Sequence, residues 1–321
     1  MSAAELDYHD ARTHAICREL EANPDAILIG GSLSLPFNPD DGVARRFPDQ
    51  VLIPPYSELA TAAAGIGAAI GGLRPLVALS TASFMFYAWP AIVNEAPLVR
   101  YLSGGKVAAP VAFHVHGGSR RGGGPQHEHT PHAMLQGLPG LRVLAPGTPA
   151  DIDAALHLAF TGHDPVVIFD HVLLADARGP VPADPPAEPL PTLVRPGADA
   201  LLIASSIMTQ RALAAARELE GEGFAVAVLD LPVVSPPPVE EVLEAAAEHR
   251  VVAFVEESRA PGSPAAFLRA SLLECRRELR SVLIAAAEAP TPFALDLLDE
   301  VVPTVGCIAR QVRALIEAEG T

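Results

Sequence analysis

Continuous apolar runs of four or five residues recur along the chain, with longer helical stretches between them. Ala26–Gly30, Leu76–Leu79, Val111–Val115, Leu141–Ala145 and Val166–Phe169 read as short strands. The pattern predicts an amphipathic helix over 8–22 and helices over 86–102 and 149–160. Apolar strands alternating with helices imply a parallel sheet covered on both faces. From Gly179 to Pro196 the chain becomes Pro-rich, which predicts a stiff extended linker. The alternation then resumes, with strands at 200–204, 225–229, 251–255 and 281–284. Helices are expected over 209–221 and 238–249, and from Pro264 and Thr304 onward. The expectation is an α/β chain of two domains, 1–178 and 197–321, joined by a linker over 179–196.

Composition sharpens this picture. A chain of 321 residues can bury a core in each of two domains. Half of it is hydrophobic and 19% is charged, as in a compact globular protein. A formal net charge of -16 disfavours nucleic acid and anionic membrane as partners. Cys17, Cys275 and Cys307 show no CxxC spacing, which fits a reducing compartment and no disulfide framework. The first 21 residues show no apolar secretory core, and the 60–73 run is too short and Gly-rich to span a bilayer. A cytoplasmic setting is expected.

Three features carry candidate chemistry. Glu58 sits between a short strand and a helix made almost wholly of Ala and Gly, residues small enough to let another backbone or a flat cofactor approach closely. An acid in a first helical turn is also favoured by the helix dipole alone. The Gly-rich run from His116 to His129 follows a strand, at the edge where α/β sheets bind ligands, or forms a surface loop. His114, His116, His127, His129 and His132 crowd this region and suit proton transfer or, as an alternative, metal binding. Phe84, Phe86, Tyr87 and Trp89 concentrate aromatics that ordinarily serve a core. No GxGxxG follows a strand and no GxxxxGK[ST] occurs, so nucleotide-binding fingerprints are absent.

Taken in order, these pieces resemble the β subunit of the thiamin-diphosphate-dependent 2-oxoacid dehydrogenase E1 component. Tyr56-Ser57-Glu58, the Ala/Gly helix and Gly72-Leu73-Arg74-Pro75 are similar to the opening family motif. Ile92-Val93-Asn94, Arg100 to Gly105, and Gly124-Pro125-Gln126-His127 follow in family order, then Leu138 to Leu141 and Ala145 to Asp151. In the second domain Val255 to Arg259 and Pro290-Thr291-Pro292-Phe293 continue the resemblance.

The resemblance implies a pyrimidine-binding module followed by a transketolase-type C-terminal domain. Glu58 aligns with the acid that hydrogen-bonds the aminopyrimidine ring and controls its protonation. Phe84 aligns with the aromatic that stacks on the pyrimidine, and Tyr87 stands beside it where Gln is common. His127 aligns with the active-site histidine. Phe160, Gly162 and Asp164 lie in a loop that holds potassium in some relatives. No Gly-Asp-Gly occurs, so Mg²⁺ and the diphosphate are expected on an α-type partner chain, in an α₂β₂ assembly that a lipoyl E2 protein serves. The activity implied is decarboxylation of a 2-oxo acid with transfer of the acyl or aldehyde unit to lipoamide or another acceptor. A split transketolase-like transferase and a non-catalytic assembly subunit are the alternatives. The chain departs from the family at Gly30-Gly31-Ser32, where an acid is usual, at Pro90-Ala91, and at Glu128-His129 in place of Ser-Gln.

Overall fold

The computed structural model describes residues 3–30, 42–119 and 122–318. Gly31, Ser32 and the segment after them to Asp41, part of the first departure from the family, lie outside the described residues, as do Arg120 and Arg121.

The first half runs β1 (Ala4–Asp7), α1 (Tyr8–Ala22), β2 (Ala26–Gly30), α2 (Val43–Arg46), β3 (Val51–Leu52), α3 (Glu58–Ile70) and β4 (Arg74–Thr81). It continues through α4 (Val99–Leu102), β5 (Ala112–His116), α5 (His132–Leu135), β6 (Arg142–Leu144), α6 (Pro149–Thr161), β7 (Val166–Asp170) and β8 (Arg178–Val181). The second half comprises β9 (Thr192–Arg195), β10 (Ala200–Ala204), α7 (Ile207–Gly221), β11 (Val226–Asp230), β12 (Val233–Ser235) and α8 (Val239–Ala246). It ends with β13 (Val251–Arg259), α9 (Pro264–Cys275), β14 (Arg280–Ala286), α10 (Leu295–Val301) and α11 (Val305–Glu317).

Strand order in the first sheet is β12-β6-β7-β5-β4-β2-β3, and in the second β14-β13-β10-β11-β9. Pairing is parallel except at β12 and β9, the antiparallel edges. The period of two sorts side chains between layers. Leu28, Leu76, Ala112 and Ile168 join one core with α1 and α6, and that core runs on into Leu202, Val228 and Ile308 of the second half. Ile29, Val77, Phe113 and Val167 face the opposite side, against α3. No described helix is long and apolar enough to cross a membrane.

Two expectations need correction. The helix over 86–102 is three pieces: a 3₁₀ turn at Phe84–Ala88, a π-helical turn at Ala91–Glu95, and α4. Pro90 and Pro97 supply no amide hydrogen to a continuous ladder. The Pro-rich stretch is also not wholly linker. Its start pairs with β1 as β8, and its end pairs with β11 as β9. Proline is tolerated on such edge strands because one side of the backbone makes no ladder bond.

Between the halves, Asp230 at the end of β11 meets Asp151 in the first turn of α6. Burial, then the charge and hydrogen bond of Asp151, push the Asp230 carboxyl well above the usual carboxylate range. The folded chain therefore holds a proton that the unfolded chain releases above about pH 4. Stability falls as pH rises from there through the raised value. Asp230→Asn is expected to gain in melting temperature relative to wild type as pH climbs from 5 to 8. Parallel melting curves for the two proteins across that range would refute this.

Candidate functional site

Glu58 is the first residue of α3 and is half-buried. Ser57 caps the helix by accepting the Ala60 amide at 3.4 Å. The carboxylate borders a crevice formed by Pro54 to Ser57, Thr61, Ala78, Leu79 and Ser80. Ser80, near the carboxyl end of β4, has φ of 62°, which a non-glycine residue adopts at a cost of about 1–3 kcal/mol. Such strain is characteristic of functional sites, and no sequence signal marks it here.

The small residues of α3 do two jobs. On the inner face, a Cβ on Gly65 would lie 2.3 Å from Val77 Cγ2, so glycine lets the helix pack directly on β4. The outer face, with Leu59, Ala60, Ala63, Ala64, Gly67 and Ile70, is exposed. The close approach inferred from the sequence is thus met on one side by the chain's own sheet.

Phe84 stands between Tyr87 and His127. The Phe84 ring meets His127 edge-on at 5.5 Å between centroids and stands 6.4 Å from Tyr87. Phe86 meets His129 in the same manner at 5.6 Å. Alternate residues of the 3₁₀ turn thus face alternate residues of the histidine loop. Phe84 and His127 are half-buried, and Tyr87 is 69% exposed. α3, which carries Glu58, packs against the 3₁₀ turn.

The histidine loop is held from inside and from the second domain. The buried Glu128 carboxylate accepts the Gly123 amide at 2.7 Å and the Ser119 hydroxyl at 3.3 Å. Its backbone carbonyl accepts the Thr291 hydroxyl at 3.3 Å. Gly124 has φ of 67°, and a Cβ there would lie 2.3 Å from Phe293, so the position requires glycine. Glu257 accepts the Ser119 amide at 2.8 Å and faces His171 Nε2 at 3.2 Å. His171 Nδ1 accepts the Leu173 amide, which places the ring proton on Nε2, toward Glu257. His132 Nε2 lies 3.3 Å from Glu256. Burial alone would raise both glutamates, but His132 with the Ser258 amide, and His171 with the Ser119 amide, bring them below their ordinary range. Sequence reasoning saw these glutamates only as a family motif.

The five histidines therefore do not form one cluster. His114 and His116 lie on the opposite face of β5, buried with Asp170, and the ligand atoms of the three residues fall within 4.8 Å of one another. This is a metal-ligand type of set, yet Arg12 already places Nη1 2.7 Å from Asp170 Oδ2, the oxygen that faces His114 Nε2 at 3.0 Å. A second cation there would meet a buried positive charge. In the potassium-loop candidates, Phe160 is buried, the Gly162 carbonyl accepts Arg74 at 2.5 Å, and Asp164 pairs with Arg100 at 3.0 Å. That loop already faces two cations of its own chain.

The transketolase pyrimidine-binding domain family matches residues 4–175, and the transketolase C-terminal domain family matches residues 192–308. The chain is 29% identical, over 97% of its length and 97% of the relative's, to the β subunit of acetoin:2,6-dichlorophenolindophenol oxidoreductase of Cupriavidus necator. It is 31% identical, over 80% of its length and 81% of the relative's, to the β subunit of 2-oxoisovalerate dehydrogenase of Bacillus subtilis. Among solved structures, a split-gene transketolase described as an inactive β4 tetramer superposes with a TM-score of 0.78 at 23% identity, covering 97% of this chain and 98% of that one. With both transketolase-type domains matched in order and E1 β subunits matched over most of its length, the chain belongs to the transketolase-like family of 2-oxoacid dehydrogenase E1 β subunits.

Proposed function

We propose that this chain is one half of a thiamin-diphosphate-dependent enzyme that decarboxylates a 2-oxo acid and passes the acyl or aldehyde unit to lipoamide or another acceptor. Residues 1–178 serve as the pyrimidine-binding domain and 197–321 as the C-terminal domain. The observation that carries this reading is the position of Glu58: a half-buried carboxylate at a helix mouth, opening on a crevice beside a strained strand end.

A half-buried carboxylate on a crevice and a nearby turn rich in aromatics are the residue types that suit a flat aminopyrimidine. Glu58 would hold a ring nitrogen and move or keep its proton, Phe84 would cover the ring face, and Tyr87 would close the open side. When bound, thiamin diphosphate supplies the nucleophilic carbon that makes decarboxylation of a 2-oxo acid feasible. His127 donates or accepts a proton at the substrate, held at its station by Phe84 and the Glu128-braced loop.

An α-type partner chain would bring Mg²⁺ and the diphosphate site, since this chain has no Gly-Asp-Gly. The uncovered apolar face of α3, with Leu52, Ile53 and Tyr56 also exposed nearby, supports a second chain lying over the crevice, in an α₂β₂ assembly. A lipoyl E2 protein is the expected acceptor carrier. Potassium at Phe160, Gly162 and Asp164 does not fit, because it would have to displace Arg74 from the Gly162 carbonyl.

Co-purification with an α-type subunit tests the reading. With Mg²⁺ and thiamin diphosphate, carbon dioxide release is expected from one or more acids in a panel of 2-oxo acids, and only when both chains are present. Release by this chain alone, or none from a complex that binds the cofactor, would overturn it.

A further inference from the structure

A cavity of about 420 Å³ lies between the histidine loop and the C-terminal domain, lined by Pro125, His129, Arg259, Glu288, Ala289 and Thr291 among others. Its size falls in the range of small-molecule pockets, about 300–1,000 Å³. Nothing described above uses it. Two of its walls, Pro125 and His129, flank His127 in sequence, so it adjoins the residue read as facing substrate.

Arg259 ends β13 and is half-buried. Its Nε–H and Nη2–H both donate to the Ala289 carbonyl, Nε at 3.1 Å. One backbone oxygen thus fixes one edge of the guanidinium. The Nη1–Nη2 edge has no acceptor among the described residues, and a planar fork of two N–H groups matches a carboxylate bidentately. His129 presents its ring across the same cavity, anchored edge-on to Phe86. Burial, and then the charge of Arg259, lower its pKa, so at neutral pH the ring offers a donor without a second charge. Glu288 is exposed at the cavity and opposes anions, a dianion more than a monoanion. His129 is also a position at which this chain leaves the family pattern.

We infer that this cavity is a subsite for the carboxylate of a small organic acid, gripped by the free edge of Arg259 and by His129, beside the reaction centre. Its place in the reaction rests on the reading of His127 given above; the binding itself does not. The site would select substrates or acceptors that carry a carboxylate over neutral analogues of the same shape.

Acetate is the probe, titrated into the full chain and followed by saturation transfer to its methyl protons. Saturable binding is expected, with acetamide and inorganic phosphate weaker. Arg259→Gln should weaken acetate by about tenfold or more, as expected for a charge-assisted bidentate contact. Glu288→Gln should tighten it by roughly two- to fivefold, the scale of one exposed charge. Binding of acetate by Arg259→Gln as by wild type, equal binding of acetamide, or tighter binding of phosphate would overturn the inference. Should Arg259→Gln fail to fold for want of its bond to Ala289, Glu288→Gln decides alone. It breaks no hydrogen bond among the described residues, and an unchanged acetate affinity there would sink the idea. No cofactor, partner or turnover enters the measurement, so its failure is separate from failure of the proposed activity.

Discussion

Replacing Glu58 with alanine is expected to lower turnover of the assembled enzyme by about 10²–10⁴-fold, the usual worth of a positioned acid or base. The same change should barely affect folding. Glu58 is half-buried and opens α3, where a carboxylate contributes about 0.3–1 kcal/mol through the helix dipole. The Ser57 cap and the Gly65–Val77 contact, which hold the helix in place, remain. A melting temperature within a few degrees of wild type and unchanged co-purification with the partner should therefore accompany a loss of two or more orders in kcat. Glu58→Gln refines the test. It keeps a hydrogen-bonding side chain of the same length and removes the exchangeable acid proton, so it should restore cofactor binding but not rate. If both variants turn over like wild type in an active complex, Glu58 is only an acid favoured by the helix dipole, and the chain's part in catalysis lies elsewhere or is one of assembly.

The two-sheet α/β plan was legible because buried parallel strands announce themselves as continuous apolar runs, and each of those at 26–30, 76–79, 111–115 and 166–169 is a strand of the first sheet. Short edge elements were not. β12 is only Val233–Ser235, and its role as an edge strand beside β6 depends on a partner some 90 residues away. The break of the 86–102 helix was readable from Pro90 and Pro97, but apolar spacing outweighed them. At the site, Phe84, Tyr87 and His127 were named from motif resemblance and meet in space. The supports of that site were invisible, because Glu128, Glu256 and Glu257 act through bonds to Gly123, His132 and His171 that no local pattern encodes. The His-rich run misled in one respect. In β5, residues 114 and 116 share a face, whereas 127 and 129 lie on a loop, so sequence proximity joined groups that the sheet separates.

Asp170→Ala is expected to be the most destabilising of the substitutions considered, by about 3–5 kcal/mol, because it strands a charged partner in the interior. Arg12 is 4% exposed and Asp170 is fully buried, with Nη1 and Oδ2 at 2.7 Å. His114 and His116 lie at 3.0 and 3.8 Å from the same oxygen. Burial alone would raise the Asp170 carboxyl. Arg12, the His114 hydrogen bond and the charges of both histidines outweigh it and hold the pKa well below the usual carboxylate range. The sign follows from proton counts: below about pH 4 the unfolded chain takes up a proton that the folded chain refuses. The stabilisation is therefore complete above that pH and is lost as pH falls through the depressed folded value. Chemical denaturation at pH 7 should show the full deficit in Asp170→Ala, and the gap to wild type should narrow in acid. Arg12→Met combined with Asp170→Leu should recover much of the loss, since removing both charges removes the desolvation they incur. The same series separates this network from a metal centre. With Arg12 already supplying the cation, added Zn²⁺ should leave the wild-type melting temperature unchanged. A rise that Asp170→Ala lacks would instead make the His114–His116–Asp170 set a binding site and Arg12 its displaceable occupant.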